Sequence, residues 1–550
     1  MTRSSRRIYA SLCSPEIRSF ISSKLGSQAR GLRYAHHSTF APQSRSRIPL
    51  ACGILLLTPA IWYLANRNER RIIACDSSPP ERSVQLAKEK PKIALAVFKS
   101  HNSKDSLWVA VDGEVWDVTG FLEQHPGGPD ALLANSGKDA SNVYHSIHPP
   151  GTLQETLDPS CHKGRLDEAA MTVLQAVKDE ELQRISAARR QLPSVNSIVS
   201  IDDFEHYAKD VCSETAWEYY SHGAETESAL RNNLSAFDRV FFRPRVLRNV
   251  WDTELSSDIL GFRSDLPLYV APTAQNGLAQ ELGEIAVTRG AGSQRILQVL
   301  SHVASQPLKA VCAERVPGQA VAWQLYMHPD REKARKEIEE AVKLGVHSIW
   351  LTVDTAVLGK RTGARVGMAK RNPKPYDEPL NREPTTVLSG RYDTGLNWSD
   401  IRWIKSIAPD TPLVLKGIGA WEDAERARQE GADAICLSNH GGRELDYANA
   451  PLKTLYDIRQ NSPETIQDKN FQIYVDGGIR RGTDVLKALC LGADAVGLGR
   501  PFIYAAAGWK SDGVEKAIMI LREELEISMR LLGVTKLDQL GPEYLDCSYL

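Results

Sequence analysis

The feature that most constrains this chain is a repeated order of apolar run, polar loop and amphipathic segment. Three runs, at 434–437, 471–475 and 493–496, each end in a loop rich in glycine and charge, after which a helical pattern begins. Five earlier runs of the same kind lie at 266–271, 296–300, 320–325, 348–353 and 412–415. Eight strands alternating with helices over about 300 residues predict a single (β/α)8 TIM barrel of the α/β class.

Reactive side chains of such a barrel lie on the loops that follow the strands. The loop after 434–437 reads Ser438-Asn-His-Gly-Gly-Arg443, and the next two loops contain Asp476-Gly-Gly-Ile-Arg480 and Gly499-Arg500. Taken alone, His440 could be an ordinary loop histidine and Arg443 a surface cation, because single motifs often match by chance. The three loops together favour a catalytic site at this end of the barrel.

The three loop sequences, in this order, resemble the signature of the FMN-dependent α-hydroxy-acid oxidases and dehydrogenases. The resemblance extends from about residue 198 to the C-terminus. It implies that the barrel holds FMN and oxidises a 2-hydroxy acid. Such a reaction requires a base, cations for the substrate carboxylate and a flavin that accepts two electrons.

The same resemblance assigns the catalytic and substrate-binding residues. His440 matches the base, and Asp354, which ends Leu351-Thr-Val-Asp354, matches the carboxylate that orients it. A planar guanidinium can bind a carboxylate through two hydrogen bonds, which suits Arg443 and Arg361. Two tyrosines match contacts to the substrate, to its hydroxyl for Tyr326 and to its carboxylate for Tyr219. Tyr219 could alternatively be a packing residue.

The resemblance also implies the FMN contacts. Lys416 matches the cation at the N1 and O2 edge of the flavin ring, where negative charge accumulates on reduction. Loops after the seventh and eighth strands form the usual phosphate site of a barrel. The remaining matches are ring contacts at Ala271, Pro272, Thr273, Ser301, Gln324 and Thr352, and ribityl or phosphate contacts at Asp476, Gly477, Gly478, Arg480, Gly499 and Arg500.

Two positions depart from the common pattern of that family. Glu444 stands where glutamine is common, and it is expected to add a negative charge beside Arg443. Val303 stands at a position that helps line the substrate pocket, where many oxidases have tryptophan. Valine leaves room for lactate but also for a bulkier substrate such as mandelate.

A smaller domain precedes the barrel. Two strand-like runs, 107–111 and 114–118, flank an Asp112-Gly113 turn, and His125-Pro-Gly-Gly128 follows. This arrangement resembles the cytochrome b5 haem-binding domain. The resemblance implies haem b held by His125 and His148, with His145 as the alternative second ligand. The expected apolar pocket residues are Phe121, Leu132, Leu133, Val143 and Ile147.

The N-terminal region 1–75 has the composition of a mitochondrial presequence. Residues 1–47 are basic and contain one acidic residue, Glu16, while 48–65 form an uncharged apolar run. The two parts resemble a transit segment and a sorting segment that deliver a protein to the intermembrane space. The apolar run could instead be retained as an inner-membrane anchor, and 1–47 could be a generic disordered tail.

The remaining boundaries follow from composition. Residues 76–90 are a polar connector, 91–167 the haem domain, 168–195 a charged helical linker, and 196–550 the dehydrogenase barrel. The linker predicts a haem domain that is tethered to the barrel. The basic, proline-rich segment 361–398 predicts a flap over the strand ends.

The combination of modules resembles the L-lactate:cytochrome c oxidoreductases of fungal mitochondria. It implies oxidation of L-lactate, electron transfer from FMN to haem b and then to cytochrome c, and a homotetramer. Two alternatives are a dehydrogenase for mandelate or another larger L-2-hydroxy acid, and a membrane-tethered haem electron carrier with an inactive barrel. The net charge of −1 gives no indication of nucleic-acid binding.

Overall fold

The computed structural model describes residues 91–125, 129–145, 147–148, 151–371 and 393–550. The predicted presequence 1–75, the connector 76–90 and the middle of the predicted flap lie outside these residues. Within them, no helix combines the length and apolar character that crossing a bilayer requires.

The first domain is a five-stranded sheet with short helices on both faces, since Phe98 and Leu133 belong to different core clusters. Its strands, in spatial order, are Lys92–Ile93, His162–Leu166, Glu114–Asp117, Ser106–Val111 and Asn102–Ser103. Its helices are Leu95–Ser100, Pro129–Ala134, Ser141–His145 and Thr152–Thr156, with 3-10 turns at Thr119–Gln124 and Pro159–Cys161. The predicted hairpin is present, because Asp112 and Gly113 both adopt the positive φ angles, 54° and 80°, that a tight two-residue turn requires.

A 23-residue helix, Glu168–Arg190, occupies the segment predicted as a linker. Asp167 caps its first turn by accepting a hydrogen bond from the Ala170 N–H. Ala170 packs into the core of the first domain, while Arg184 near the other end donates to the carbonyl oxygens of Asp210 and Cys212. The two ends of the helix are therefore attached to different domains, while most residues between them are exposed to solvent, as expected of a charged linker.

The second domain is a closed, parallel, eight-stranded barrel, which confirms the predicted fold. The strands are β1 Leu268–Val270, β2 Leu297–Leu300, β3 Val321–Leu325, β4 Ile349–Thr352, β5 Leu413–Ile418, β6 Ala434–Leu437, β7 Gln472–Asp476 and β8 Ala495–Leu498. The barrel closes where β8 pairs with β1, with Val496 opposite Leu268. All eight strands coincide with apolar runs of the sequence, because a strand buried on both faces consists largely of apolar residues.

Aromatic side chains fill the barrel interior. Trp350 stacks on Tyr474 at a centroid distance of 5.3 Å, and Tyr269 contacts Trp350 at 5.0 Å. All three are fully buried. Burying 150–250 Å² of each ring contributes roughly 4–6 kcal/mol of transfer free energy at about 25 cal/mol per Å². Packed side chains therefore fill the barrel interior below the strand ends.

Helices surround the barrel and also precede it. Ile201–Val211, Glu214–Ser221 and Ser228–Asp238 come before β1, and the last of these packs near the β6 and β7 loops. The helices that follow are Glu284–Ser293, Leu308–Ala313, Arg331–Lys343, Thr362–Arg371, Ser399–Ile407, Trp421–Gln429, Pro451–Asn461, Pro463–Gln467, Gly482–Leu491 and Arg500–Leu532, the last kinked at Trp509 and Lys510. Phe241–Phe242 pairs antiparallel with Leu545–Asp546 and joins the two ends of this domain.

The two domains also touch away from the linker helix. Thr362–Arg371, which begins directly after Arg361, contacts the first-domain helix Pro129–Ala134 and the pre-barrel helix Glu214–Ser221. The expectation that the first domain is merely tethered is therefore incomplete, since this second contact is set by residues far apart in the sequence.

Candidate functional site

A cavity of about 740 Å³ opens at the carboxyl ends of the barrel strands and continues into the first domain. The predicted catalytic, substrate-binding and flavin-binding residues and both predicted haem ligands line it, except Asp354, which is buried against His440. The structure thus brings together side chains from the first domain and from the ends of all eight strands or the loops that follow them.

His440 is held from below by a carboxylate. Its Nδ1 lies 2.9 Å from Asp354 Oδ1 and 3.1 Å from Thr355 Oγ1, while its Nε2 lies 3.4 Å from the Tyr326 hydroxyl. His440 has a φ of 59°, and Gly441 and Gly442 are also left-handed. This strained turn directs the imidazole into the cavity with Nε2 available to a substrate.

Two buried charges flank the histidine. Burial alone would raise the pKa of Asp354, but electrostatic interactions with His440 and Lys416 and hydrogen bonds from His440 and Thr355 outweigh it and lower the pKa to about 2. Burial alone would lower the pKa of Lys416, but Asp476 and Asp354 outweigh it and raise the pKa. Both groups are therefore ionised, as a base-orienting carboxylate and a cation facing a reduced flavin must be.

The arginines form a second cluster above the histidine. Arg443 Nη1 donates to the Tyr219 carbonyl oxygen at 2.7 Å, and Arg500 Nε donates to the Tyr220 carbonyl oxygen at 2.7 Å. The guanidinium carbons of Arg443 and Arg361 lie 5.0 and 5.9 Å from the Tyr219 ring centre. Tyr219 therefore places its ring under both cations and its carbonyl group against one of them.

This cluster has a surplus of positive charge. Burial and the neighbouring charges of Arg361 and Arg500 lower the pKa of Arg443 to about 9. Burial likewise lowers the pKa of Arg500. Guanidinium groups remain protonated in proteins, so the lowered pKa values indicate that these cations are crowded together. An anion bound beside them would stabilise the cluster. A substrate carboxylate and a flavin phosphate are anions of the required kind.

Polar side chains connect the ends of β2, β3 and β4. Gln324 Nε2 donates to Thr352 Oγ1 at 2.9 Å, and its Oε1 accepts from Ser301 Oγ at 3.3 Å and from the His302 N–H at 3.1 Å. These hydrogen bonds fix the orientation of the Gln324 amide. It presents hydrogen-bonding groups at the place where the flavin ring was predicted.

The β7 and β8 loops form a cradle of backbone and cations. Gly477 and Gly478 both have a φ of 86°, and a Cβ at 478 would collide with the Asn233 carbonyl oxygen. Arg480 Nη1 is buried without a hydrogen-bond partner among the described residues. A helix begins at Arg500, so its amino-terminal N–H groups add to the positive potential. These features fit a phosphate.

At the other end of the cavity, His125 and His148 face each other with ring centroids 6.1 Å apart. Two metal–nitrogen bonds of about 2 Å, together with the distance from each nitrogen to its ring centre, account for a separation of this size. His148 Nδ1 lies 3.3 Å from the Tyr144 carbonyl oxygen, which leaves Nε2 for a metal. The apolar neighbours Phe121, Leu132, Val143 and Ile147 line the same end. The site fits haem held on both faces.

The geometry bears on two expectations for the first domain, the identity of the second haem ligand and the place of Leu133. His145 is about half exposed, and its Nε2 lies 2.9 Å from Asp112 Oδ2, outside the cavity, so the arrangement favours His148 as second ligand. Leu133 was expected in the pocket but lies fully buried in the domain core. On a short helix, Leu132 and Leu133 point in different directions, and the sequence does not show which one faces the haem.

Other residues that support the site were missed by sequence reasoning. Thr355 contacts both Asp354 and His440, and Ser438 Oγ accepts from Lys416 Nζ at 3.1 Å. Glu284 is almost fully buried and ties the β1 loop to the β2 loop by accepting from the backbone of Asn276, Ser305 and Gln306. For Thr355 and Ser438, adjacency to predicted residues was the available signal; for Glu284 there was none.

The two departures from the family pattern lie in different surroundings. Val303 lines the cavity as predicted. Glu444 adds a negative charge near Arg443, as expected, and this charge acts to raise the pKa of Arg443. Its direct partners, however, are Arg361 and the Gly359 N–H. Adjacent residues on a turn point different ways, so closeness in sequence to Arg443 did not indicate the partner.

Comparisons with known proteins agree with this geometry. Residues 208–547 match the family model of the FMN-dependent dehydrogenases, and residues 95–167 match that of the cytochrome b5-like haem/steroid-binding domain. Both resemblances seen in the sequence are therefore confirmed.

Individual proteins are similar over most of the chain. L-lactate dehydrogenase (cytochrome) of Wickerhamomyces anomalus is 36% identical over 548 residues, covering 99% of this chain and 92% of that protein. A mutant flavocytochrome b2 with pyruvate bound is 38% identical with a TM-score of 0.62, covering 68% of this chain and 92% of the other. A soluble mutant of (S)-mandelate dehydrogenase from Pseudomonas putida is more distant, at 30% identity and a TM-score of 0.57, over 64% of this chain and 99% of the other.

Proposed function

Because this chain belongs to the FMN-dependent dehydrogenase family and carries a cytochrome b5-like domain before the barrel, we propose that it oxidises L-lactate to pyruvate with cytochrome c as electron acceptor. It is an oxidoreductase with FMN and haem as cofactors. Each lactate oxidised releases two electrons and two protons, so two molecules of ferricytochrome c are reduced per turnover.

Protein side chains bind and orient the substrate in this proposal. Arg443, Arg361 and Tyr219 hold the carboxylate, because their charges and ring surround one corner of the cavity. Tyr326 binds the substrate hydroxyl beside His440. His440 Nε2 removes a proton from the substrate, and Asp354 stabilises the imidazolium that forms. FMN, when bound, accepts the two electrons, and haem transfers them singly.

The continuity of the cavity carries the proposal. His440 and the His125–His148 pair line the same cavity, and no described residue closes it between them. An enzyme that passes its electrons to oxygen needs no second redox site beside the first. A haem site open towards the base therefore favours a one-electron protein acceptor.

The test is an anaerobic mixing experiment. Purified, air-oxidised protein containing both cofactors is mixed with L-lactate while the visible spectrum is recorded. We expect the flavin band to bleach and the reduced-haem bands to appear, followed by reduction of added ferricytochrome c. If both cofactors are present and neither is reduced by lactate, the proposed substrate is wrong.

A second substrate has one observation in its favour. Val303 lines the cavity and leaves more space than a tryptophan would. An L-mandelate dehydrogenase of the same build is therefore the alternative. Comparing kcat/KM on L-lactate and L-mandelate with ferricyanide as acceptor decides between them. Preference for mandelate would replace lactate in the proposal.

The cellular setting is part of the same proposal. The presequence-like composition of 1–75 supports the mitochondrial intermembrane space, where cytochrome c is available. Fractionation of mitochondria, with protease added before and after rupture of the outer membrane, tests this location. A matrix location would refute it, and extraction with carbonate would detect a retained anchor.

We further propose a homotetramer built on the barrels. A loop before β1 exposes Val246, Leu247 and Trp251, which are 81%, 104% and 81% exposed in the single chain. An apolar cluster of this kind commonly marks a protein–protein contact. Light scattering on wild type and Leu247→Arg should show a tetramer and smaller species, respectively. A monomeric wild type would refute the assembly.

A further inference from the structure

Glu444 is a buried carboxylate that joins two loops of the site. Its side chain is 6% exposed. Oε2 accepts the Gly359 N–H at 2.5 Å, and Oε1 accepts from Arg361 Nη2 at 3.3 Å. Gly359 and Arg361 belong to the β4 loop, whereas Glu444 follows His440 and Arg443 on the β6 loop. One side chain therefore connects the loop of the base to the loop of a substrate-binding cation.

The two loops are also in direct backbone contact. A Cβ at Gly359 would collide with the Arg443 carbonyl oxygen and with the Glu444 backbone. At such a distance the Gly359 N–H is shielded from water, and Glu444 supplies the acceptor it requires. The hydrogen bond thus fixes the start of the segment that carries Arg361.

The ion pair leaves part of the guanidinium for a ligand. Arg361 Nε is buried and has no hydrogen-bond partner among the described residues, although Nη2 is engaged by Glu444. Arg361 lies over Tyr219 and lines the cavity. A buried donor without a partner is costly, so a group that accepts from it in the bound state is expected.

The negative charge of Glu444 also affects how the site binds anions. Arg361, Arg443 and Arg500 are crowded in the site, and their mutual repulsion is relieved by negative groups. Glu444 supplies one unit of negative charge that belongs to the protein. An anionic ligand would therefore meet a site that is already partly neutralised.

We propose that Glu444 is a positioning residue that holds Arg361 for the substrate carboxylate and competes with that carboxylate for the arginine's charge. The inference rests on the proposed function, since it takes the ligand to be a 2-hydroxy-acid carboxylate. Glu444 thereby limits how tightly anions bind and keeps product release from being slowed by a fully unpaired cation.

Two substitutions separate the two effects. Glu444→Gln keeps a carbonyl oxygen for the Gly359 N–H but removes the charge. Glu444→Ala removes both contacts. Asp446→Asn is the matched control, because Asp446 is a buried carboxylate on the same loop that binds Thr226 and Ala229 instead of Arg361.

The assay is a titration with oxalate, an anionic analogue without a transferable hydrogen, monitored through the flavin absorbance of the oxidised holoenzyme. For Glu444→Gln we expect the Kd to fall at least about five-fold, the effect of one unit charge at about 4 Å even in water. KM for lactate should fall in the same direction. Glu444→Ala should bind oxalate less tightly than Glu444→Gln, because Arg361 loses its position. Asp446→Asn should match wild type.

Each outcome has one meaning. An unchanged or raised oxalate Kd in Glu444→Gln, with normal flavin content, overturns the inference while leaving the proposed function intact. Oxalate binding that responds as expected in a protein that does not oxidise lactate supports the inference and refutes the proposed substrate. Failure of wild type to bind oxalate overturns both.

Discussion

Replacing Asp354 with asparagine should slow oxidation by removing the charge beneath His440. The carboxylate lies 2.9 Å from His440 Nδ1, and its pKa is about 2 instead of 3.8. Losing a buried hydrogen-bond partner that carries a charge costs roughly 1.5–3 kcal/mol, so the rate of flavin reduction is expected to fall by about 10- to 150-fold. The asparagine amide can also donate to Nδ1 and place the ring proton on Nε2, which lowers the rate further.

The contribution of the Asp354 carboxylate depends on pH with a definite sign. A carboxyl group whose pKa is lowered in the folded state contributes its stabilisation above its unfolded pKa and loses it as the pH falls through about 2. Asp354 is therefore ionised at every pH from 5 to 9, a range that lies well above both pKa values. Asp354→Asn should accordingly slow flavin reduction at every pH in that range.

The measurement is anaerobic stopped-flow reduction of the flavin by L-lactate and by 2-deuterated lactate. The variant should show the slower rate with a larger isotope effect, because the chemical step limits it more fully. Thr355→Val is the control, since it removes a hydrogen bond to His440 and Asp354 but no charge. A rate for Asp354→Asn within about three-fold of wild type, with full flavin content, would refute the assigned role, because one pKa unit alone is worth ten-fold.

Other consequences follow from single residues. His148→Ala should abolish the haem Soret band while His145→Ala should retain it, and the opposite result in spectra of haem-reconstituted protein would make His145 the ligand. Burial raises the pKa of Asp494 to about 6, so its ionisation penalises the fold above pH 6 and not below 3.8. Asp494→Asn should therefore raise stability by about 1–3 kcal/mol at pH 7 with no gain at pH 4, measured by urea unfolding. Trp350→Ala should lower the free energy of unfolding by about 3–5 kcal/mol in the same assay, because it removes a buried ring from the packed interior of the barrel.

The barrel could be predicted because each of its strands is covered on both faces and therefore consists largely of apolar residues. The roles of the loop residues were predicted from the resemblance of these loop sequences to a known family, and the barrel explains why they converge, since its strand ends lie at one face. His440, Asp354 and Lys416 meet there because their strands are neighbours in the closed sheet.

What could not be predicted depends on backbone groups or on turns. The carbonyl oxygens of Tyr219 and Tyr220 hold Arg443 and Arg500, but a carbonyl group carries no sequence signal. The negative charge of Glu444 beside Arg443 could be predicted because the two residues are adjacent, but its direct partners on the β4 loop, Gly359 and Arg361, could not. Long-range pairings of this kind follow from the packing of whole loops.

The way the two domains close also determines the order in which a nascent chain can mature. The first domain is complete once His162–Leu166 pairs with its neighbours, so every residue it needs for haem has by then been synthesised. The barrel, in contrast, stays open until β8 reaches β1, and Phe241–Phe242 waits for Leu545–Asp546. Contacts of such sequence separation form slowly. The first domain can therefore complete its fold from residues near one another in the sequence, whereas the barrel cannot close before its last strand is available.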